Sequence, residues 1–193
     1  MRLTGLAFKM RLGGGLAARA LGFGTVLLLV TGVAAAGILE DMVPPPPTDG
    51  ACWERSYSND HLARHPRQKV TELRFLVQPF QGRYDFTIDI ATRERAGTVI
   101  GTCANGPTGS AVCRVACGGG AFNLRQAGSD DAMLLDISGA GRLHINARCE
   151  GREGAAQFLI AAEPDDKVFK LQPASVRSCT LQPFKPYLDH RGD

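Results

Sequence analysis

No acidic residue occurs in the first 36 positions of this 193-residue chain. The charges there are Arg2, Lys9, Arg11 and Arg19. The formal net charge of +3 is therefore misleading, because the remaining residues carry 18 basic and 19 acidic groups. A surplus confined to one end is not the basic patch that nucleic acid requires. The rest reads as a solvated, nearly neutral globular surface.

Other absences narrow the chemistry. There is no Cys-x-x-Cys, which argues against a zinc ribbon or a redox pair. No Gly-x-Ser-x-Gly elbow is present, and Ser110, Ser138 and Ser175 have no evident base. His-Glu-x-x-His is absent, since Leu62 stands where the glutamate would be. The Gly-rich stretch Cys117–Phe122 lacks both a following helix and a Lys-Ser/Thr pair, so it reads as a hairpin turn and not a phosphate loop. Asp85 and Asp89 lie four apart on a strand, about 13 Å, too far for a glycosidase pair. Together these absences lead us to expect a non-enzymatic protein without a cofactor.

What is present begins with export. Residues 21–37, LGFGTVLLLVTGVAAAG, are apolar and uncharged, and Ala34-Ala35-Ala36 supplies small residues for a signal peptidase. The pattern is that of a secretory signal over 1–36, cleaved after Ala36. The alternative is an uncleaved membrane anchor over 21–39, close to bilayer-spanning length. Either way the membrane is met only through this segment, and the expected location is periplasmic or secreted. Residues 37–51 read as a linker stiffened by Pro44 to Pro47. A disulfide-bonded domain is expected over 52–181, followed by a loose tail over 182–193.

All six cysteines lie beyond the signal, and an even number in an exported chain implies three disulfides. The expected pairing is Cys52–Cys179, Cys103–Cys113 and Cys117–Cys149, with Cys113 and Cys117 read as sharing one strand face. The first bond would tie the domain's start to its end, and the second would clip a hairpin.

Alternation defines the domain. Residues 84–90, YDFTIDI, set Tyr84, Phe86, Ile88 and Ile90 on one face. Residues 142–149 do the same with Leu143, Ile145, Ala147 and Cys149, and 71–77 with Leu73, Phe75 and Val77. This is the period of half-buried strands. Weaker runs lie at 97–103, 111–117, 121–126, 132–138, 155–162 and 167–171, with Gly, Asn, Pro and Asp between them. The predicted fold is all-β: an antiparallel sandwich or barrel of about eight short strands.

One constellation stands out. Over 59–65 a short helix capped by Ser58, Asn59 or Asp60 would place His61 and His65 on one face. Two imidazoles so placed could hold zinc or copper, with Asp60 as a third ligand. Pro66 opposes helical geometry at His65, and a polar surface turn is the competing reading.

The same region carries a resemblance. Cys52 with an aromatic-containing turn, then His61-Leu62-x-x-His65-Pro66 and a first strand, resembles the opening of a group of small exported bacterial proteins of uncharacterised function. The resemblance covers mainly 52–78, with an echo in DDKVFKL, 165–171. It implies an exported, disulfide-bonded domain and no catalytic residue. The expected role is an envelope module that binds a protein or glycan. The alternatives are an inhibitor of an envelope-attacking hydrolase and a metal-binding protein using His61 and His65.

Overall fold

The computed structural model describes residues 37–45, 49–128, 130–146 and 157–180. Helix α1 (Ile38–Met42) comes first, then strand β1 (Ala51–Ser56) and helix α2 (Asn59–Arg64). Strands β2 (Val70–Phe80), β3 (Arg83–Thr92), β4 (Ala96–Asn105), β5 (Ser110–Val115), β6 (Ala121–Gln126) and β7 (Met133–Asp136) follow. The chain continues with β8 (Arg142–Ile145), β9 (Phe158–Ala161), β10 (Val168–Ala174) and helix α3 (Val176–Thr180).

Eight strands close into an antiparallel barrel in the order β1-β10-β7-β6-β5-β4-β3-β2. Strands β8 and β9 form a separate two-stranded sheet inserted between β7 and β10. Of the two expected architectures, the barrel is therefore the one formed. Closure follows from β1 pairing on both sides, with β2 through Trp53↔Phe75 and with β10 through Trp53↔Pro173.

The expected alternation is realised over 71–77 and 86–90 and at Leu143 and Ile145, while Tyr84 is half-buried and Ala147 and Cys149 lie outside the described residues. Leu73, Phe75, Val77, Phe86, Ile88 and Ile90 are buried inside, joined by Phe122, Leu124, Leu135 and Phe169. An eight-stranded barrel has an interior just wide enough for side chains to fill. Phe75, Phe86 and Phe122 fill the middle with edge-on contacts at 5.9 and 5.1 Å between ring centroids, the geometry that aromatic quadrupoles favour. Between β2 and β3, Gln81 and Gly82 both take positive φ. A two-residue turn of that kind matches the twist of its strands.

Two disulfides are as expected. Cys52 joins Cys179, fastening α3 to the outside of β1. Cys103 joins Cys113, its direct partner across β4 and β5, on the inner face. Cys117 is also disulfide-bonded, but Cys149, its expected partner, lies outside the described residues. One detail of that expectation is corrected. Cys117 does not continue the face of Cys113, because β5 ends at Val115 and the chain enters a 3-10 turn, Ala116–Gly118, with Cys117 at φ 60°. Of the three glycines that follow, Gly118 and Gly120 take positive φ, which allows so abrupt an exit.

The domain starts earlier than expected. Residues 37–51 are not simply a spacer: Ile38, Leu39 and Val43 are buried in the main core. The Leu39 N–H donates to Asn105 Oδ1 at 3.0 Å, and Glu40 accepts from the Asn105 amide and the Tyr84 hydroxyl. Helix α1 thus caps one mouth of the barrel. At the other mouth β8–β9 buries Leu143, Ile145 and Ile160 in the same core. The stretch before the first predicted strand is likewise more structured than a polar turn, since β1 is a full barrel strand and Trp53 is buried. Among the described residues no helix is long and apolar enough to cross a membrane. Segments 1–36 and 182–193 lie outside the described residues.

Candidate functional site at the β8–β9 mouth

Helix α2 forms where the sequence predicts it. Ser58 caps it, accepting from the His61 N–H at 3.2 Å, and His65 ends it at φ −119°, ψ 68°, just before Pro66. A six-residue helix is too short to hold itself. Its support comes from Arg93 in the β3–β4 turn. Arg93 donates to the carbonyls of Gln68 at 2.8 Å, Leu62 at 2.7 Å and His65 at 3.3 Å. One planar guanidinium satisfies three main-chain oxygens, including those the helix end leaves open.

His61 and His65 share a face, as expected, but the rings stack instead of converging. Their centroids are 4.3 Å apart, Tyr57 stacks on His61 at 4.8 Å, and the Arg55 guanidinium lies over the Tyr57 ring at 4.7 Å. One nitrogen of each ring lies near a partner. Gln68 donates through Nε2 to Val70 O, so its Oε1 must accept, and His61 Nε2 therefore donates to it at 2.9 Å. A nitrogen that carries its proton offers no lone pair to a metal. His65 Nδ1 lies 3.7 Å from Asp165. No group of three His, Cys, Asp or Glu is placed to hold a metal among the described residues. His61 and His65 thus share the face expected of them, and in the structure that face carries a stack of rings. Of the other histidines, His144 lies on β8, its N–H donating to Gly119 O, and His190 is outside the described residues.

Behind the stack sits a buried carboxylate. Asp166 is fully buried and accepts from Lys69 N at 2.6 Å and Val70 N at 3.2 Å. Burial pushes its carboxyl above the ordinary value, opposed by those two N–H groups. Burial likewise pushes the Tyr57 phenol up. The turn holding Asp166 is further tied by Lys69 to Glu163 at 2.7 Å. The two stretches that carried the resemblance, 52–78 and 165–171, are thus neighbours in space.

Beside this assembly a groove of about 570 Å³ opens between the β3–β4 turn and β9. Lys69, Thr92, Glu94 and the arginines Arg93 and Arg95 line one side, and Gln157 to Ile160 the other. Its volume lies within the range of ligand sites. Leu159 is 50 % exposed there, and the Arg95 guanidinium lies over the Phe158 ring at 5.4 Å. Lys69 has Glu163 as a counter-ion, but among the described residues no carboxylate pairs with Arg93. None of these groove residues stood out in the sequence. Thr92-Arg93-Glu94-Arg95 looks like an ordinary charged turn, and 155–162 is one of the weaker strand patterns.

No protein-family profile, curated protein or solved structure matches this chain. What fold and site define is a class: a closed, disulfide-bonded antiparallel barrel with a groove at one mouth. Its disulfides point to an oxidising, extracytoplasmic setting.

Proposed function

We propose that this chain is an exported, non-enzymatic binding module of the cell envelope, periplasmic or secreted, which engages a partner in the groove between the β3–β4 turn and β9. The observation that carries this reading is the half-exposed Leu159 in a cation-lined groove, on a barrel otherwise filled by its own side chains. Beside a groove of this volume, an apolar side chain with a few polar and charged groups around it matches the mixed lining of binding sites. Export fits the end of the leader. Ile38 and Leu39 belong to the core, so the apolar run available to a membrane shrinks to 21–37, about 17 residues against the roughly 20 a span needs. This supports cleavage after Ala36 over anchoring.

The test is a photo-crosslinking amino acid at Gln157, in the groove, or at Gln81, on the opposite hairpin, in cells exporting the full chain. A discrete adduct from Gln157 and none from Gln81 is expected, with the partner identified by mass spectrometry. No adduct from either position would sink the binding reading.

One observation favours the inhibitor alternative. The β2–β3 hairpin ends with Phe80 48 % exposed and Arg83 over its ring at 5.4 Å, a compact tip that could enter a hydrolase cleft. An adduct from Gln81 alone, together with loss of a hydrolase's activity on adding the domain, would favour it.

A further inference from the structure

The barrel strands satisfy one another, but among the described residues β9 has β8 on one side only. Which of its main-chain groups face outward follows from the register. Ala162 N donates to Gly141 O across the pair at 2.8 Å. In an antiparallel ladder such bonded pairs recur at every second residue. Leu143↔Ile160 and Ile145↔Phe158 are therefore the bonded pairs, whereas Leu159 and Ala161 turn their main-chain groups away from β8. His144, opposite Leu159, agrees: its N–H points outward to Gly119 O at 3.0 Å. The outer edge of β8 is thus covered, further by the reciprocal bonds between Asn146 and Thr98. On β9 the Ala161 carbonyl is taken by Glu163 N. The N–H and carbonyl of Leu159 and the N–H of Ala161 find no partner among the described residues, and they border the groove.

We infer that the groove binds an extended, acidic segment of a partner protein, which adds as a strand to the outer edge of β9. This rests on the binding-module reading and specifies its mode. An open edge supplies main-chain affinity, and side-chain pockets supply choice. Here Leu159, exposed on one face of β9, takes an apolar side chain. On the other face the cations take carboxylates at the alternate positions: Arg93, which has no carboxylate partner among the described residues, and Arg95, which lies over the Phe158 ring with only a long, exposed pair to Glu94 at 3.9 Å. Open edges are ordinarily blunted by charge, proline or a covering element, whereas this one displays a half-exposed leucine.

The probe is an acetylated, amidated hexapeptide alternating valine and glutamate, titrated into the domain with amide resonances observed. Binding should shift the Leu159 and Ala161 amides and slow their hydrogen exchange. A valine–lysine peptide should bind more weakly, and Arg95→Gln should shrink that difference. Ala161→Pro removes one outward N–H, a change edge strands tolerate. It should weaken binding by about threefold to tenfold, the worth of one such bond. If Ala161→Pro fails to fold, Leu159→Glu serves instead, repelling the acidic peptide from an exposed position. Unchanged Leu159 and Ala161 amides, or unchanged affinity in both variants, would overturn the inference. So would a dimer in sedimentation that Leu159→Glu dissolves, since a second copy would then occupy the edge. The two readings fail separately. An adduct from Gln157 undiminished by Ala161→Pro removes strand addition and leaves the binding module standing, whereas no adduct removes the module itself.

Discussion

The imidazole of His61 lies on that of His65, with planes 20° from parallel and centroids 4.3 Å apart. Two histidines four apart on a helix can chelate only if their lone pairs converge; here His61 Nε2 donates to Gln68, which leaves Nδ1 as its one lone pair, in a ring stacked on that of His65. Calorimetric titration of the domain with zinc or copper should therefore show no binding that His61→Ala abolishes. Binding lost in that variant would restore the metal reading.

Arg93 organises the mouth. Its three carbonyl contacts hold a helix that could not persist alone. Arg93→Ala should destabilise the domain by about 1.5–3 kcal/mol, the range for charge-assisted hydrogen bonds, and should speed amide exchange at Leu62 and His65. Arg93→Lys should recover only part of this, because a point charge cannot span three oxygens. Equal exchange in all three proteins would show that α2 has another anchor.

Asp166 should leave a mark on the pH dependence of stability. Its native carboxyl is held above the ordinary value of 3.8 by burial, so the folded state keeps the proton to higher pH than the unfolded chain. By linkage, the stabilisation is full below the unfolded value and is lost as pH rises through the raised native value. Urea unfolding across that window should show the wild type losing stability relative to Asp166→Asn as pH rises, with the difference constant above it. A difference that grew in the wild type's favour would reverse the sign and show that the two N–H groups outweigh burial.

The disulfides should contribute unequally. Cys52–Cys179 spans 127 residues and Cys103–Cys113 spans 10. On loop-closure entropy, removing the first costs about 5 kcal/mol and the second about 2.7 kcal/mol. Paired alanine replacements followed by denaturant titration would check the order. Non-reducing peptide mapping should find both bonds, and a peptide joining Cys113 to Cys149 would contradict the pairing.

The earlier start of the domain is testable at Leu39, which is 1 % exposed. Leu39→Ala should cost about 2–5 kcal/mol, as buried leucines do. A change within about 0.5 kcal/mol, the usual surface range, would return 37–51 to the status of a spacer.

Much of the fold was legible in the residues because strand alternation is local. Tyr84, Phe86, Ile88 and Ile90 share a face whatever the sheet later does. What misled was also local. The Ile38–Met42 segment precedes a proline run, and so resembles a linker until its partners Asn105 and Tyr84, more than forty residues away, are brought to it. At the site, α2 and its Ser58 cap were readable from a few neighbouring residues. The support from Arg93 was not, since the contact to Leu62 bridges 31 residues.

The sequence by itself determined the class of the chain: 36 first residues that are basic and apolar without an acid, six cysteines beyond them and short alternating strands. These are properties of composition and of neighbours two apart. Only the tertiary structure decided that the sheet closes, that the histidines stack, and that β9, paired among the described residues with β8 alone, lies beside Arg93 and Arg95. Closure and edge exposure depend on which distant strands find each other, and that pairing is set by the packing of the whole core.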